Sequence, residues 1–312
     1  MYNPNNINPT LNALEKQRSL QETELSQAEQ EFYNTHLIAS GKNASLATKR
    51  MMSRDMSDMG AFKGIFSDIE IQQNKNKLQE IITSRASEIK DRTQRAEIME
   101  KLIEDTLTST DVNWFKSETD KEFNCYQTLA YDDWINHTDF VFEWLTKDGK
   151  EIRLAVDCTV SSNDQVIKKK LGFVKDEIES KKRLTDIKYF ESGLTNRDGK
   201  KNKGEMKNIP RIILIISKDK LEDICDLVTG TKNDKLNIHP LQIVLLQDIA
   251  EQLQAQLEII KKWRYTEMND ALKDALNQIQ TIIQEKKDFI ELSKSNEVKK
   301  PGKRFIAGHR PA

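Results

Sequence analysis

The chain has 312 residues, 32% of them charged and 37% hydrophobic, with a formal net charge of −1. That length buries a real core in one to three domains, and the near-zero charge excludes binding to nucleic acid by global charge alone, so such a partner needs a local basic patch. The short apolar runs and the start of the chain give neither a membrane span nor a signal peptide, and three scattered cysteines (Cys125, Cys158, Cys225) argue against a disulfide framework or zinc cluster, so the expectation is a soluble cytoplasmic protein.

Residues 1–9, rich in Asn and Pro, read as disordered, and residues 10–110 as an N-terminal helical region. Leu11, Leu14, Arg18, Gln21, Leu25, Ala28 and Phe32 alternate steps of three and four. Two seam positions are polar, so a short helix packed on its neighbours fits better than a long coiled coil. Residues 40–72 hold Gly41, Gly60 and Gly64, together with Met51, Met52, Met56 and Met59, which suit irregular helix packing. A second long helix is predicted over 73–108, with Leu78, Ile82, Ile89, Ala96, Met99 and Ile103 as its buried stripe.

The pattern changes over 111–230, which reads as a small α/β domain. Thr119–Ala130 is predicted as a helix, with Phe123, Tyr126 and Ala130 on one face. Thr138–Leu145 and Glu151–Val160, rich in aromatic and β-branched residues, read as two strands around a KDGK turn. Ser161, Ser162, Asn163 and Asp164 offer N-caps for a helix over about 164–184. Ile187–Phe190 reads as a short edge strand, and Ser192–Asn208, with three glycines and many lysines, as a mobile loop. The run after Pro210, Arg211–Ser217, reads as a strand buried on both faces, followed by a short helix to Val228. The C-terminal region, 231–293, reads as a helical hairpin: His239–Trp263 and Met268–Leu292, turning at Arg264–Tyr265. The tail 294–312 is basic and reads as disordered.

The two central strands can be paired by physics. A two-residue loop at Asp148–Gly149 would set Phe140 beside Asp157 and mix core with polar faces. A three-residue loop with Gly149 in the left-handed region sets Phe142 against Leu154, Phe140 against Val156, and Glu143 against Arg153. That register brings Asp139 opposite Asp157. Two facing carboxylates either share a proton or hold a cation, and a hard ion such as Mg²⁺ (or Mn²⁺) suits a small carboxylate set. Thr159 follows on the same face, with a hydroxyl for a bound water or a phosphate. The blander alternative is that Asp139 caps a strand end and Asp157 is satisfied by backbone or by a lysine.

The order helix, strand with Asp139, strand with Asp157-Cys158-Thr159, helix, strand resembles the PD-(D/E)xK nuclease superfamily over about Glu118–Ser217, a third of the chain. The motif is short and tolerant. Thr138 stands where the family has proline, and Thr159 where it has the lysine that positions water and stabilises charge at the phosphate. The resemblance implies a small mixed sheet of restriction-endonuclease-like type within an α+β, helix-rich chain carrying helical extensions at both ends. It implies Asp139 and Asp157 as metal and catalytic residues, with Thr159 beside them. Lys170, from the cluster Lys168–Lys170, would replace the missing lysine, unless that cluster is simply a solvated basic face. Glu122, with Glu118 behind it, would be the family's helix glutamate. The activity implied is phosphodiester hydrolysis by a divalent-metal-dependent nuclease. Nucleic acid would then be met by Arg197, Lys200, Lys201, Lys203, Lys207 and Arg211. The alternative is a catalytically inactive scaffold that binds protein or nucleic acid, or self-associates, through its helices.

Other chemistries find little support. The glycines form no phosphate-binding loop, and His36, His137, His239 and His309 form no zinc-ligand spacing. Cys158 faces the core in the chosen register, which counts against a cysteine nucleophile.

Overall fold

The computed structural model describes residues 24–38, 58–84, 94–109, 111–195, 201–230, 232–263 and 266–299. The protein is α+β and helix-rich: a four-stranded mixed sheet and a separate two-stranded hairpin, with helices before and after them. Among the described residues no helix is long and apolar enough to cross a membrane.

Helix α1 is Gln27–Phe32, continued by a π turn over Tyr33–Ile38. Ser26 and Glu29 form a capping box at its start. Glu29 is fully buried and receives Arg95 Nε at 2.7 Å, which ties α1 to the helices that follow. The seam residues expected before Leu25 lie outside the described residues. The long helix predicted over 73–108 is two helices, α2 (Asp68–Ser84) and α3 (Gln94–Leu102), the second continued by a π turn over Ile103–Leu107. Of its stripe, Leu78, Ile82, Met99 and Ile103 are buried, and Ile89 lies outside the described residues. Of the methionine patch only Met59 is described, buried with Phe62, Ile71, Tyr131 and Tyr189.

The segment predicted as a helix over Thr119–Ala130 is instead strand β1, Asp120–Gln127. Phe123 and Tyr126 sit three apart, as on a helix, yet they face opposite sides of a sheet. Phe123 packs with Phe142 and Trp144, whereas Tyr126 packs on Phe190. The alternation of Phe123 and Cys125 on the core side outweighs the three-residue spacing. Helix α4, Ala130–Asn136, comes next and ends at His137 in the left-handed conformation, φ 52°.

Strands β2 (Phe140–Thr146) and β3 (Glu151–Val160) pair antiparallel, with Phe140 opposite Val156, Phe142 opposite Leu154 and Glu143 opposite Arg153. This is the register of the three-residue loop, and Gly149 takes φ 87° in it. Helix α5, Asp164–Lys181, is capped by Asn163, whose side chain accepts the Gln165 amide at 2.8 Å.

The stretch predicted as a short edge strand and a mobile loop is a hairpin: β4 (Thr185–Thr195) and β5 (Lys201–Ile209) pair antiparallel with several bulges. It is not an edge of the main sheet. Its Ile187, Phe190 and Ile209 pack over Val141 and Ala155, covering one face. Lysine and glycine density hid this pairing, because β5 is polar on its outer side.

Strand β6, Arg211–Ile216, runs parallel to β3, giving the sheet order β1-β2-β3-β6. It is buried along most of its length, as an apolar run beside a crossover requires. Helices α6 (Lys218–Thr229) and α7 (Asn233–Asn237) lead to α8 (Leu241–Ile260) and α9 (Thr266–Lys299). Leu245, Ile249, Leu253 and Leu257 of α8 join Leu272, Leu276 and Ile279 of α9 in the same core cluster as Phe32, Ile98, Phe142 and Ile212. The predicted turn Arg264–Tyr265 lies outside the described residues.

Candidate functional site

The site lies where β2 begins and β3 approaches its end. The Asp139 amide donates to the Val156 carbonyl at 2.8 Å, and the Cys158 amide donates to Asp139 Oδ2 at 2.6 Å. The carboxylate of Asp139 therefore takes a backbone donor of β3 just beyond the regular ladder. Asp157 is the residue before Cys158, so the hairpin register brings the two aspartates to one sheet end. Its Oδ1 receives Lys170 Nζ at 2.9 Å, and the same ammonium is 3.5 Å from the Cys158 carbonyl. The side chain of α5 thus reaches back over the sheet, two turns from the helix start.

Alternation puts Thr159 on the face of Asp157, two residues on, partly exposed and level with Ile215. It also puts Cys158 on the opposite, core-side face. Burial first, and then the charges of Asp139, Glu100 and Asp157, push the Cys158 thiol well above its usual range. It is a poor nucleophile.

Glu100 enters here without having been foreseen. It sits on α3, beside Met99 and Ile103 of the buried stripe, and is close enough to Cys158 to act on its ionisation. Glu122, the expected helix glutamate, is on strand β1 opposite Leu145 and receives the Asn124 side-chain amide at 2.9 Å. Five residues of extended strand separate Leu145 from Phe140, about 17 Å. Glu118, whose amide donates to Glu285, lies beyond that same end of β1. The misread helix carried the expectation to the wrong element, since the helix preceding the sheet is α3.

The basic patch is also displaced. Arg197 and Lys200 lie outside the described residues. Lys203 is paired with Glu191 and Lys207 with Glu205, and the Asn202 side chain reaches Glu151 at 3.4 Å. Glu151 is six residues before Asp157, about 20 Å along the strand. Lys201 to Lys203 therefore stand at the far end of the sheet. Arg211 is only 2% exposed: its guanidinium contacts Glu177 at 2.8 Å and donates to the Asn136 carbonyl at 2.7 Å. A strand buried on both faces leaves it no surface role. The cations beside Asp157 are Lys170 of α5, in direct contact, and the buried Arg211, close enough to act on it electrostatically; Lys168 and Lys169 are exposed on α5.

The donor set bears on the expected metal. Among the described residues no group of three or more His, Cys, Asp or Glu is arranged to hold an ion. Two neighbouring carboxylates fit a hydrated Mg²⁺ shared with a substrate phosphate, and do not fit a cage made wholly of protein ligands. Compared with family models, curated proteins and solved structures, the chain matches none.

Proposed function

We propose that this protein is a metal-dependent phosphodiesterase acting on nucleic acid, a divergent relative of the PD-(D/E)xK nucleases. The observation that carries this reading is the contact of Lys170 Nζ with Asp157 Oδ1 at 2.9 Å, beside Asp139. It supplies, from the following helix, the cation that Thr159 cannot. The order of elements supports it too: a helix, a three-stranded antiparallel sheet with α4 between its first two strands, a helix, and, after the inserted β4–β5 hairpin, a strand parallel to the third.

In this reading the products of a phosphodiester and water are a phosphomonoester and an alcohol. Asp139 and Asp157 would hold a divalent ion, whose chemistry is to acidify water and neutralise phosphoryl charge. Lys170, oriented by Asp157, stabilises negative charge as it develops on the phosphoryl oxygens. Thr159 donates its hydroxyl to a phosphate oxygen on the same face.

A second reading has its own support. Asp139 takes a backbone amide and Asp157 a lysine, so both carboxylates already have structural partners. In that case the sheet is a scaffold and the helices carry the function. Incubation with Mg²⁺ or Mn²⁺ and single- or double-stranded DNA and RNA separates the two. Cleavage by the native chain, abolished in Asp139→Ala/Asp157→Ala, supports the nuclease. No cleavage of any substrate, with no rise in melting temperature on adding metal, supports the scaffold.

A further inference from the structure

We infer that the exposed stripe of α5 beside the two aspartates is a stacking platform for single-stranded nucleic acid, an inference that rests on the nuclease reading of that site. Val166, Lys169, Lys170 and Phe173 follow the spacing i, i+3, i+4, i+7 and share one side of the helix. A helix normally keeps its large apolar residues inward, and α5 does so with Val174 and Ile178. Yet Phe173 is 48% exposed and Val166 42% exposed, with lysines between them.

The Phe173 ring is held in place rather than left loose. The buried Arg211 guanidinium lies 5.4 Å from its centroid, and the His137 ring meets it edge to face at 5.1 Å. Arg211 is fixed by Glu177 and the Asn136 carbonyl. His137 is fixed by the left-handed turn that ends α4, two residues before Asp139. The turn leading to Asp139 and the strand paired with that of Asp157 therefore hold the aromatic ring. Lys170 lies one turn from Phe173 and touches Asp157, so ring and carboxylates form one continuous surface.

An aromatic face with adjacent lysines is the chemistry that recognises an unpaired base and its phosphate. A duplex hides its bases in the stack and offers no such face. The hairpin lysines at the other end of the sheet are not needed for this contact.

The test uses the full chain in EDTA, so that cleavage does not interfere, with fluorescein-labelled oligo(dT) and its duplex with oligo(dA) as probes, read by anisotropy. The native chain is expected to prefer the single strand. Phe173→Leu keeps the apolar contact but removes the aromatic face, and is expected to weaken single-strand binding about 5- to 100-fold while leaving duplex binding unchanged. Phe173→Trp is expected to retain binding, with indole emission quenched by the probe. Equal single-strand affinity of the native chain and Phe173→Leu overturns the platform, as does an absence of oligonucleotide binding. The two readings fail separately. Metal-dependent cleavage with Phe173-independent binding overturns only the platform, and Phe173-dependent binding without cleavage overturns only the nuclease.

Discussion

The side chain of Gln252 makes with Ile213 the two hydrogen bonds that a further strand would make. The Ile213 amide donates to Gln252 Oε1 at 2.8 Å, and Gln252 Nε2 donates to the Ile213 carbonyl at 2.8 Å. One turn later Gln256 Nε2 donates to the Arg211 carbonyl at 2.7 Å. Helix α8 therefore closes the outer edge of β6 with glutamine side chains, and the sheet ends there without an open edge for another chain to pair with. Gln252→Leu leaves a buried donor and acceptor unsatisfied and is expected to cost about 2–4 kcal/mol in urea unfolding. Unchanged stability would mean that the edge finds another partner. Gln252→Glu, which keeps only the acceptor, is expected to fall between.

Glu143 is fully buried on β2 and is satisfied by three donors. Arg153 Nε stands at 2.7 Å, Ser192 Oγ at 2.9 Å and the Gly193 amide at 3.3 Å. The carboxylate thus joins the central hairpin to the β4–β5 hairpin above it. Arg153→Met removes the compensating charge and is expected to cost about 3–5 kcal/mol, because the carboxylate stays buried. Glu143→Leu/Arg153→Met is expected to recover much of that loss. A double variant as unstable as Arg153→Met alone would show that the polar contacts to Ser192 and Gly193, rather than the ion pair, hold the two hairpins together.

The pairing of Glu143 with Arg153 also shows what was legible beforehand. Both strands alternate cleanly, and one charge pair together with one glycine turn selects the register, so the meeting of Asp139 with the end of β3 follows from residues alone. Lys170 was within reach for the same reason, since the start of α5 is marked by its caps. Three features were not legible. β1 has aromatic residues spaced as on a helix, and only its neighbours make it a strand. β5 carries few apolar residues, so its pairing with β4 leaves little periodic trace. Glu100 is distant in sequence from β3, and nothing local on α3 marks it as lying close to Cys158.

Asp132 is a buried carboxylate that couples α4 to β4. It accepts the amides of Lys188 and Tyr189 at 2.7 and 2.9 Å, and the Asn136 side-chain amide at 2.6 Å. Burial outweighs these donors and raises its pKa to about 6. The folded state then holds the proton over a range where the unfolded chain, with an ordinary carboxylate pKa of about 4, has lost it. Stability from this group is full below about pH 4, falls as pH rises toward 6, and is flat above, a change on the order of 2–3 kcal/mol. Denaturant unfolding of the native chain and of Asp132→Asn between pH 4 and 7 checks this. The native chain's stability relative to the variant should decline across that range, and parallel curves would contradict the shift.

Lys170 and Asp157 separate a structural role from a chemical one. Their side chains are 33% and 15% exposed, so water screens the pair and its contribution to folding is small. A double-mutant cycle with Lys170→Met and Asp157→Asn is expected to give a coupling of about 1 kcal/mol or less in unfolding, smaller still at high salt. If the proposed reaction occurs here, each single variant should reduce cleavage about 100-fold or more, because the cation and the carboxylate are pre-positioned for charge that develops only in the transition state. Lys170→Arg retains the charge but changes its reach and geometry, and should recover only part of the activity. A stability coupling of several kcal/mol, with no oligonucleotide-dependent loss in either variant, would instead make this contact a strut between α5 and β3.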